Sequence, residues 1–267
     1  MSTLLDRLPE VWRRHRMLDG VDGRWRDAVV VGDGRAVLLA SPSPRGPFVL
    51  TLGGAPEVER LLADVVARRH EPGSPLARAG FVDRVGWLNV ARGAQVPVSV
   101  LSALRLAPFS VWDWLSTEHA PPARAGDSVV RRLDPAAEAD AVRACLALGN
   151  PGTSADPAGP GEAGWWGVDG PDGLLGVVGA TSRGAASGVA SWHVHGLGVV
   201  PAARSAGLGT ALTRVAVRQA FAEGMAFVSL GMYAENAVAR RLYARLGFTV
   251  DAELASFGPV GAERPPA

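Results

Sequence analysis

The stretch "GLGVVPAARSAGLGTALTRVAVRQAFAEG" sets a β-branched run, a short turn and an amphipathic helix in direct succession, with Gly207 and Gly209 at the helix entry. Such a chain must join a strand to a helix through very few residues, the opening of a layered α/β unit. Glycines at the entry let backbone N–H groups converge on one point, which the positive end of the helix also faces. A pyrophosphate suits that point.

The residues around the turn extend the pattern. "EHAPPARAGDS", from Glu118 to Ser128, is punctuated by proline, glycine and alanine and has little periodicity, which predicts a domain boundary. After it, "SVVRRL" predicts a strand. "DPAAEADAVRACLAL" predicts a helix with Asp134 as N-cap and Pro135 at its first position. "GNPGTSADPAGPGEAG" predicts a loop, "GWWGVDGPDGLLGVVGATS" a hairpin and "GVASWHVHGLGVV" a further strand. The helix after the turn ends at Gly224, "MAFVSLGMY" is a strand, "NAVARRLYARLG" a helix closed by Gly247, and "FTVDAELASF" the last strand.

Ahead of the boundary, "RWRDAVVVGDGRAVLLAS" predicts two strands around a Gly-Asp-Gly turn. "APEVERLLADVVARRH" carries Val58, Leu61, Leu62, Val65 and Val66 on one helix face. The expected organisation is a smaller α/β domain over 1–120, a linker over 121–126 and a larger α/β domain with a mixed sheet over 127–267.

Composition removes several functions. Twenty-seven basic residues, all arginine, oppose 26 acidic ones for a net charge of +1, so nothing implies attraction to nucleic acid or an anionic membrane. Without lysine there is no Walker-type phosphate lysine, pyridoxal Schiff base or lysine nucleophile. The single Cys145 excludes an intrachain disulfide framework and a multi-cysteine zinc site. The first residues, "MSTLLDRLPEVWRRHRMLDG", lack an uninterrupted apolar stretch, and no run approaches a membrane span. A cytoplasmic protein is expected.

The phosphate motifs that use the same turn can be tested residue by residue. A Rossmann fingerprint requires glycine or alanine where Leu212 stands, and Walker A requires the missing lysine. What remains is R-x-x-G-x-G, written by Arg204, Gly207 and Gly209. "NAVARRLYARLGF", from Asn236 to Phe248, follows it with the pattern N-x-x-A-x-x-L-Y-x-x-x-G-F. Both motifs, in this order of elements, resemble the GNAT superfamily of acetyl-CoA-dependent N-acyltransferases. The likeness runs from about Asp127 to Phe257, roughly half the chain.

The resemblance implies a GNAT fold in the C-terminal half and acetyl-CoA as acyl donor. It implies that the N–H groups of Ser205, Ala206, Gly207, Leu208, Gly209 and Thr210, in the motif opened by Arg204, cradle the pyrophosphate. It further implies that the strand at Leu197, Gly198 and Val199 splays open along the pantetheine arm, with the Leu197 N–H near the thioester carbonyl. Asn236, Ala239 and Tyr243 share a helix face along which that arm could lie. Tyr243 has the family's role of general acid toward the departing thiolate.

Alternatives stand beside these roles. Tyr243 also sits at a spacing that suits a core aromatic. Asn236 also suits the N-cap of its helix, Cys145 a core position, and Trp165, Trp166 and Trp192 packing. His193 and His195, two apart on a strand, point to one face. Metal is not expected, because the remaining histidines lie in the other half without a carboxylate cluster. Some family members carry a catalytic carboxylate eleven residues before the first motif position, which is His193 here. Others carry a glutamate five before the asparagine, which is Gly231 here. His193 is thus the expected base, equally open to a structural reading.

The first half shows neither motif, although its mixed pattern suits a decayed second copy that covers the acceptor side. The resulting expectation is an N-acetyltransferase acting by direct attack of a primary amine on acetyl-CoA. A catalytically inactive CoA-binding regulatory module is the alternative, and a nucleotide-binding protein of another fold a distant third.

Overall fold

The computed structural model describes residues 4–19, 25, 27–42, 47–80, 83, 85–184 and 188–262. Arg24 and Arg26 of the first expected strand, and the last residues of the expected second domain, lie outside them. Two compact units emerge. One comprises Met1–Trp114, Tyr233–Glu235 and Asp251–Arg264, and the other is built from Leu115–Met232 and Asn236–Val250. The expected 121–126 linker falls inside the second unit. There the Pro121 carbonyl accepts from Arg218, and Asp127 accepts from Arg214. Two arginines of one helix hold the stretch that glycine and proline content marked as a boundary.

In chain order the elements are α1 (Leu4–Arg7), α2 (Arg16–Asp19), β1 (Val29–Gly32), β2 (Ala36–Ser41), β3 (Phe48–Gly53), α3 (Ala55–Ala67), α4 (Pro75–Arg78), β4 (Trp87–Ala91), α5 (Val98–Leu104) and β5 (Leu106–Thr117). They continue with β6 (Val130–Leu133), α6 (Pro135–Gly149), β7 (Glu162–Gly170), β8 (Gly173–Arg183), β9 (Ser191–Val199), α7 (Leu208–Ala222), β10 (Phe227–Tyr233), α8 (Ala237–Arg245) and β11 (Thr249–Pro259). From β6 onward every element matches the order expected from sequence. The first half adds β3, β4, α5 and the long β5 to the expected strands and helix.

In the first unit β1, β2 and β3 form an antiparallel meander, and α3 carries the chain from β3 to the parallel β4. Strand β11, from Asp251 onward, then lies antiparallel to β4 and between it and β5. The last strand of the chain therefore completes the first unit, not the domain the sequence assigned it to. Val58, Leu62, Val65 and Val66 of α3 bury the face their spacing announced.

In the second unit β6, β7, β8 and β9 pair antiparallel, and α7 connects β9 to the parallel β10. Helix α7 packs on one face of this sheet with Trp166, Trp192, Val178 and Tyr243. Helix α6 covers the other with Cys145, Leu146, Trp165 and Val177. The expected Asp134 N-cap is present, its carboxylate accepting from the Ala136 N–H at 2.9 Å. Trp165, Trp192 and Phe227 are among the largest fully buried side chains, each able to contribute several kcal/mol through burial. Among the described residues no helix is long and apolar enough to cross a membrane.

The end of α6 lies hard against β9. A Cβ on Gly149 would come within 2.7 Å of the Val199 nitrogen and 3.0 Å of the Gly198 carbonyl carbon, all backbone atoms that cannot step aside. Gly149→Ala is therefore expected to cost about 2 kcal/mol in urea unfolding, the usual cost of overpacking. Gly126→Ala, where a Cβ meets nothing within 4 Å, should stay within about 0.5 kcal/mol of wild type. Equal midpoints for the two variants would contradict this packing.

Candidate active site

The site begins with a break in β9. Val177 of β8 faces Gly198 and Gly179 faces His195, so Val178 alone opposes both Gly196 and Leu197. This is a β-bulge, and Gly196 adopts the left-handed φ of +59° that such an insertion requires. A side chain there would also meet the Trp165 ring and the Ala155 methyl at 2.9 Å.

The extra residue throws side-chain alternation out of phase. His193 and His195, in register with Thr181 and Gly179, share one face, as their spacing predicts. Beyond the bulge Leu197 and Val199 pack instead against the α7 core on the opposite face. The ladder to β10 runs from Ser191–Phe227 to Val194–Leu230, although β9 continues to Val199. Past Val194 the edge of β9 is released from registered pairing with its parallel neighbour.

Two carbonyls of the released segment are held by side chains. Asn150 Nδ2 donates to the Leu197 carbonyl at 3.0 Å. Arg204 Nε donates to the Val199 carbonyl at 3.2 Å, and its Nη2 to the Gly149 carbonyl at 3.3 Å. Arg204 was expected among the donor-binding residues. Its guanidinium instead fastens the end of β9 to the end of α6.

The turn then aims its backbone outward. Ser205 and Gly207 both have left-handed φ, +65° and +79°, an alternation that turns successive N–H groups into a concave nest. Arg204 N–H bonds to Pro201 O, and the first helical bond is Ala211 N–H to Gly207 O, so the N–H groups from Ser205 to Thr210 lie between these two bonds. Helix α7 has glycine as its N-cap, no side-chain cap and no acid in its first turn. Its positive end is not neutralised by its own sequence.

Helix α8 supplies the opposite wall. Asn236 caps it, accepting from the Ala239 N–H at 2.9 Å, while Ala239 and Leu242 are half-buried and Tyr243 is buried. A Cβ on Gly209 would lie 3.5 Å from Leu242, 3.8 Å from Val199 and 3.9 Å from Leu197. The helix entry, the released strand and α8 thus meet in one apolar cleft. Tyr243 sits 5.7 Å from the Phe248 ring, and burial pushes its hydroxyl up to about 12. It keeps its proton throughout the neutral and mildly alkaline range.

On the α6 face, His193 Nδ1 lies 3.0 Å from Ser229 Oγ, and His195 Nε2 lies 3.2 Å from Glu162 Oε1. Asn150, Glu162 and Ser229 escaped the sequence reading. Ser229 shows only as one small polar residue inside an apolar strand. Glu162 stands behind a glycine-rich loop that gives no register.

The comparisons with known proteins agree with this geometry. Residues 146–248 match the Acetyltransferase (GNAT) family. The matched stretch runs from the last turn of α6 to the residue before β11. A mycothiol acetyltransferase of Frankia alni is 44% identical over 70 residues, a stretch covering 26% of this chain and 21% of that protein. The match thus spans about a fifth of the relative's length.

Solved structures extend the likeness in fold. A GCN5-related N-acetyltransferase from Kribbella flavida, 20% identical, covers 93% of this chain and 94% of its own, with a TM-score of 0.52. A GNAT-family protein from Novosphingobium aromaticivorans, also 20% identical, covers 97% and 99% with a TM-score of 0.51.

Burial raises the Cys145 thiol from 9.0 to about 11 as it raises Tyr243 from 10.0 to about 12. Both groups hold their protons longer folded than unfolded. Their contribution is complete below about pH 9 and is lost as pH climbs toward 12. Stability should fall in that window by about 1.4 kcal/mol per pH unit for each group then titrating only in the unfolded chain. Tyr243→Phe should flatten the decline above pH 10, as read by denaturant midpoints, and an unchanged slope would contradict the buried hydroxyl.

Proposed function

We propose that the protein transfers the acetyl group of acetyl-CoA to a primary amine by direct attack, with no covalent enzyme intermediate. The observation that carries this reading is the release of β9 beyond Val194 at the Gly196–Leu197 bulge, beside a helix N-terminus that nothing in its own first turn neutralises. The N–H groups from Ser205 to Thr210 fit a pyrophosphate. The segment Leu197, Gly198 and Val199, released from β10 and close to Leu242 beside Gly209, fits the pantetheine arm. Arg204 holds that edge in place.

In this reading the amine nitrogen attacks the thioester carbonyl carbon, and the Leu197 N–H meets the charge that develops on oxygen. The carbon–sulfur bond then breaks and the thiolate takes the Tyr243 proton, which solvent later restores. The proton lost by the amine passes to an imidazole on the α6 face, His193 being the one at the family's strand position. From α2 onward the first unit follows the order of α6 to α8 in the second, with α4 added and no counterpart of β6, and this supports a decayed second copy.

An amine library offered with acetyl-CoA and read by free-thiol release tests the proposal. It should include the mycothiol scaffold, after the name of the partial relative. Acetyl-CoA binding without turnover on any amine would instead support a regulatory CoA-binding module.

Two variants separate the parts. At Gly209 an added methyl fits the protein at ordinary contact distance but projects into the cleft. Gly209→Ala should keep the wild-type Tm and weaken acetyl-CoA binding about tenfold, or about 1.4 kcal/mol. Unchanged affinity by calorimetry would remove the cleft from the donor site. Tyr243→Phe keeps the ring and loses the proton, so kcat should drop roughly ten- to a hundredfold while KM for acetyl-CoA barely moves. A variant altered only in stability would make Tyr243 a core residue.

A further inference from the structure

The α6 face of β7, β8 and β9 carries polar side chains that the packing of the unit does not call for. Glu162 of β7, Thr181 of β8, His193 of β9 and Ser229 of β10 stand in register across four strands. Trp165, Gly179 and His195 form the neighbouring row. Glu162 reaches this face only because β7 has its own bulge between Glu162 and Gly164, which sets it on the same side as Trp165. Regular alternation would have turned it to the α7 face.

Gly179 makes the second adjustment. A Cβ there would lie 2.6 Å from Trp165 and 2.8 Å from His195, so only glycine lets the two rings meet, edge to face at 5.3 Å. His195 is thereby confined between Trp165 and the carboxylate of Glu162, with side chains only 19% and 12% exposed for the histidine and glutamate. Their 3.2 Å separation is an ion-pair distance without hydrogen-bond alignment. His195 Nε2, Glu162 Oε2 and the Nε1 of fully buried Trp165 have no aligned partner. Buried polar atoms left in this condition are rare in structural cores and mark places where a ligand or water completes the set.

We infer that Glu162 is the positioning residue for His195, and that the His195–Glu162 pair, not His193, takes the proton from the acceptor amine. The inference rests on the acetyl-transfer reading above. His195 immediately precedes the bulge at Gly196, whereas His193 lies further back with Nδ1 on Ser229. With the carboxylate beside Nε2, the neutral ring keeps its proton there and offers the Nδ1 lone pair. As the amine attacks, its N–H proton moves to Nδ1. The ionised carboxylate then stabilises the imidazolium until the proton passes to solvent. Among the described residues the other ionisable groups on this face include His193, Arg183 of β8, Arg131 of β6 and the buried thiol of Cys145. The charged residues of α6 and its following loop are paired elsewhere: Glu138 with Arg131, Asp140 and Asp156 with Arg143.

The test combines NMR titration of the histidines with the pH dependence of kcat/KM, in the full chain and in Glu162→Gln, His195→Ala and His193→Ala. In Glu162→Gln the His195 midpoint should fall, because the variant removes the anion beside the ring. The acid limb of kcat/KM should move to lower pH with it, kcat should fall about tenfold, and KM for acetyl-CoA should stay put. His195→Ala should abolish that limb with a loss of about a hundredfold or more near neutral pH. His193→Ala should keep the limb. A Glu162→Gln midpoint and limb identical to wild type would overturn the positioning role, and a limb that survives in His195→Ala but vanishes in His193→Ala would overturn the choice of base. A wild-type chain that acetylates no amine would count against the acetyl-transfer reading, while the His195 midpoint in Glu162→Gln would still report on the pair.

Discussion

One inserted residue in β9 governs the second unit. A regular strand would keep pairing with β10, hold every N–H in the ladder and send His195 and Leu197 to the same face. The bulge at Gly196 and Leu197 breaks both regularities. It frees the backbone edge and separates a polar face bearing histidines from an apolar face bearing Leu197 and Val199. Two chemistries can then lie on opposite sides of one strand, with the opened edge between them. Glycine is required at the break because its left-handed φ and the nearness of Trp165 leave no room for a side chain.

A freed strand end would be useless if it moved, and the structure anchors it through groups that lie outside the cleft. Asn150 and Arg204 take the carbonyls of Leu197 and Val199, and the close approach of Gly149 fixes the spacing. The N–H groups of the same segment take no part in those two bonds. Under the acetyl-transfer proposal, an arginine directed at backbone oxygens leaves the anion to the N–H groups of the turn and keeps that turn beside the strand. Tyr243 on α8 gains its raised pKa from the same packing that holds the helix in place.

Much of this was legible in the sequence because it depends on local order. The strand, the glycine turn and the following helix are contiguous, so Gly207, Gly209 and their N–H groups could be placed by spacing alone. Asn236, Ala239 and Tyr243 lie on one helix, where periodicity is reliable. What the sequence hid depends on register. Glu162 belongs with Trp165 and His195 only through a bulge, and no spacing in "GPGEAGWWG" announces one. The membership of β11 in the first unit was hidden for a related reason, since pairing partners remote in sequence leave no mark in the strand itself. The "APPARAG" stretch misled because Pro and Gly report local turns, whereas Arg214 and Arg218 decide where the turns attach.

The first unit offers a second helix entry for comparison. Its β3–α3–β4 step repeats the parallel step of β9, α7 and β10, yet the entry of its helix differs in kind. Pro56 stands in the first turn of α3 and removes one N–H, and the Glu57 carboxylate folds back against Gly54 while also pairing with Arg60 at 2.8 Å. An anion approaching that helix would meet a carboxylate already at the positive end. Helix α7 has neither the proline nor the acid, and its entry residues take the left-handed conformations that turn N–H groups outward. The same fold step therefore does not suffice to bind a phosphate. The difference lies in whether the first turn carries a carboxylate, and on that criterion the entry of α7 is open to an anion while that of α3 is opposed by Glu57.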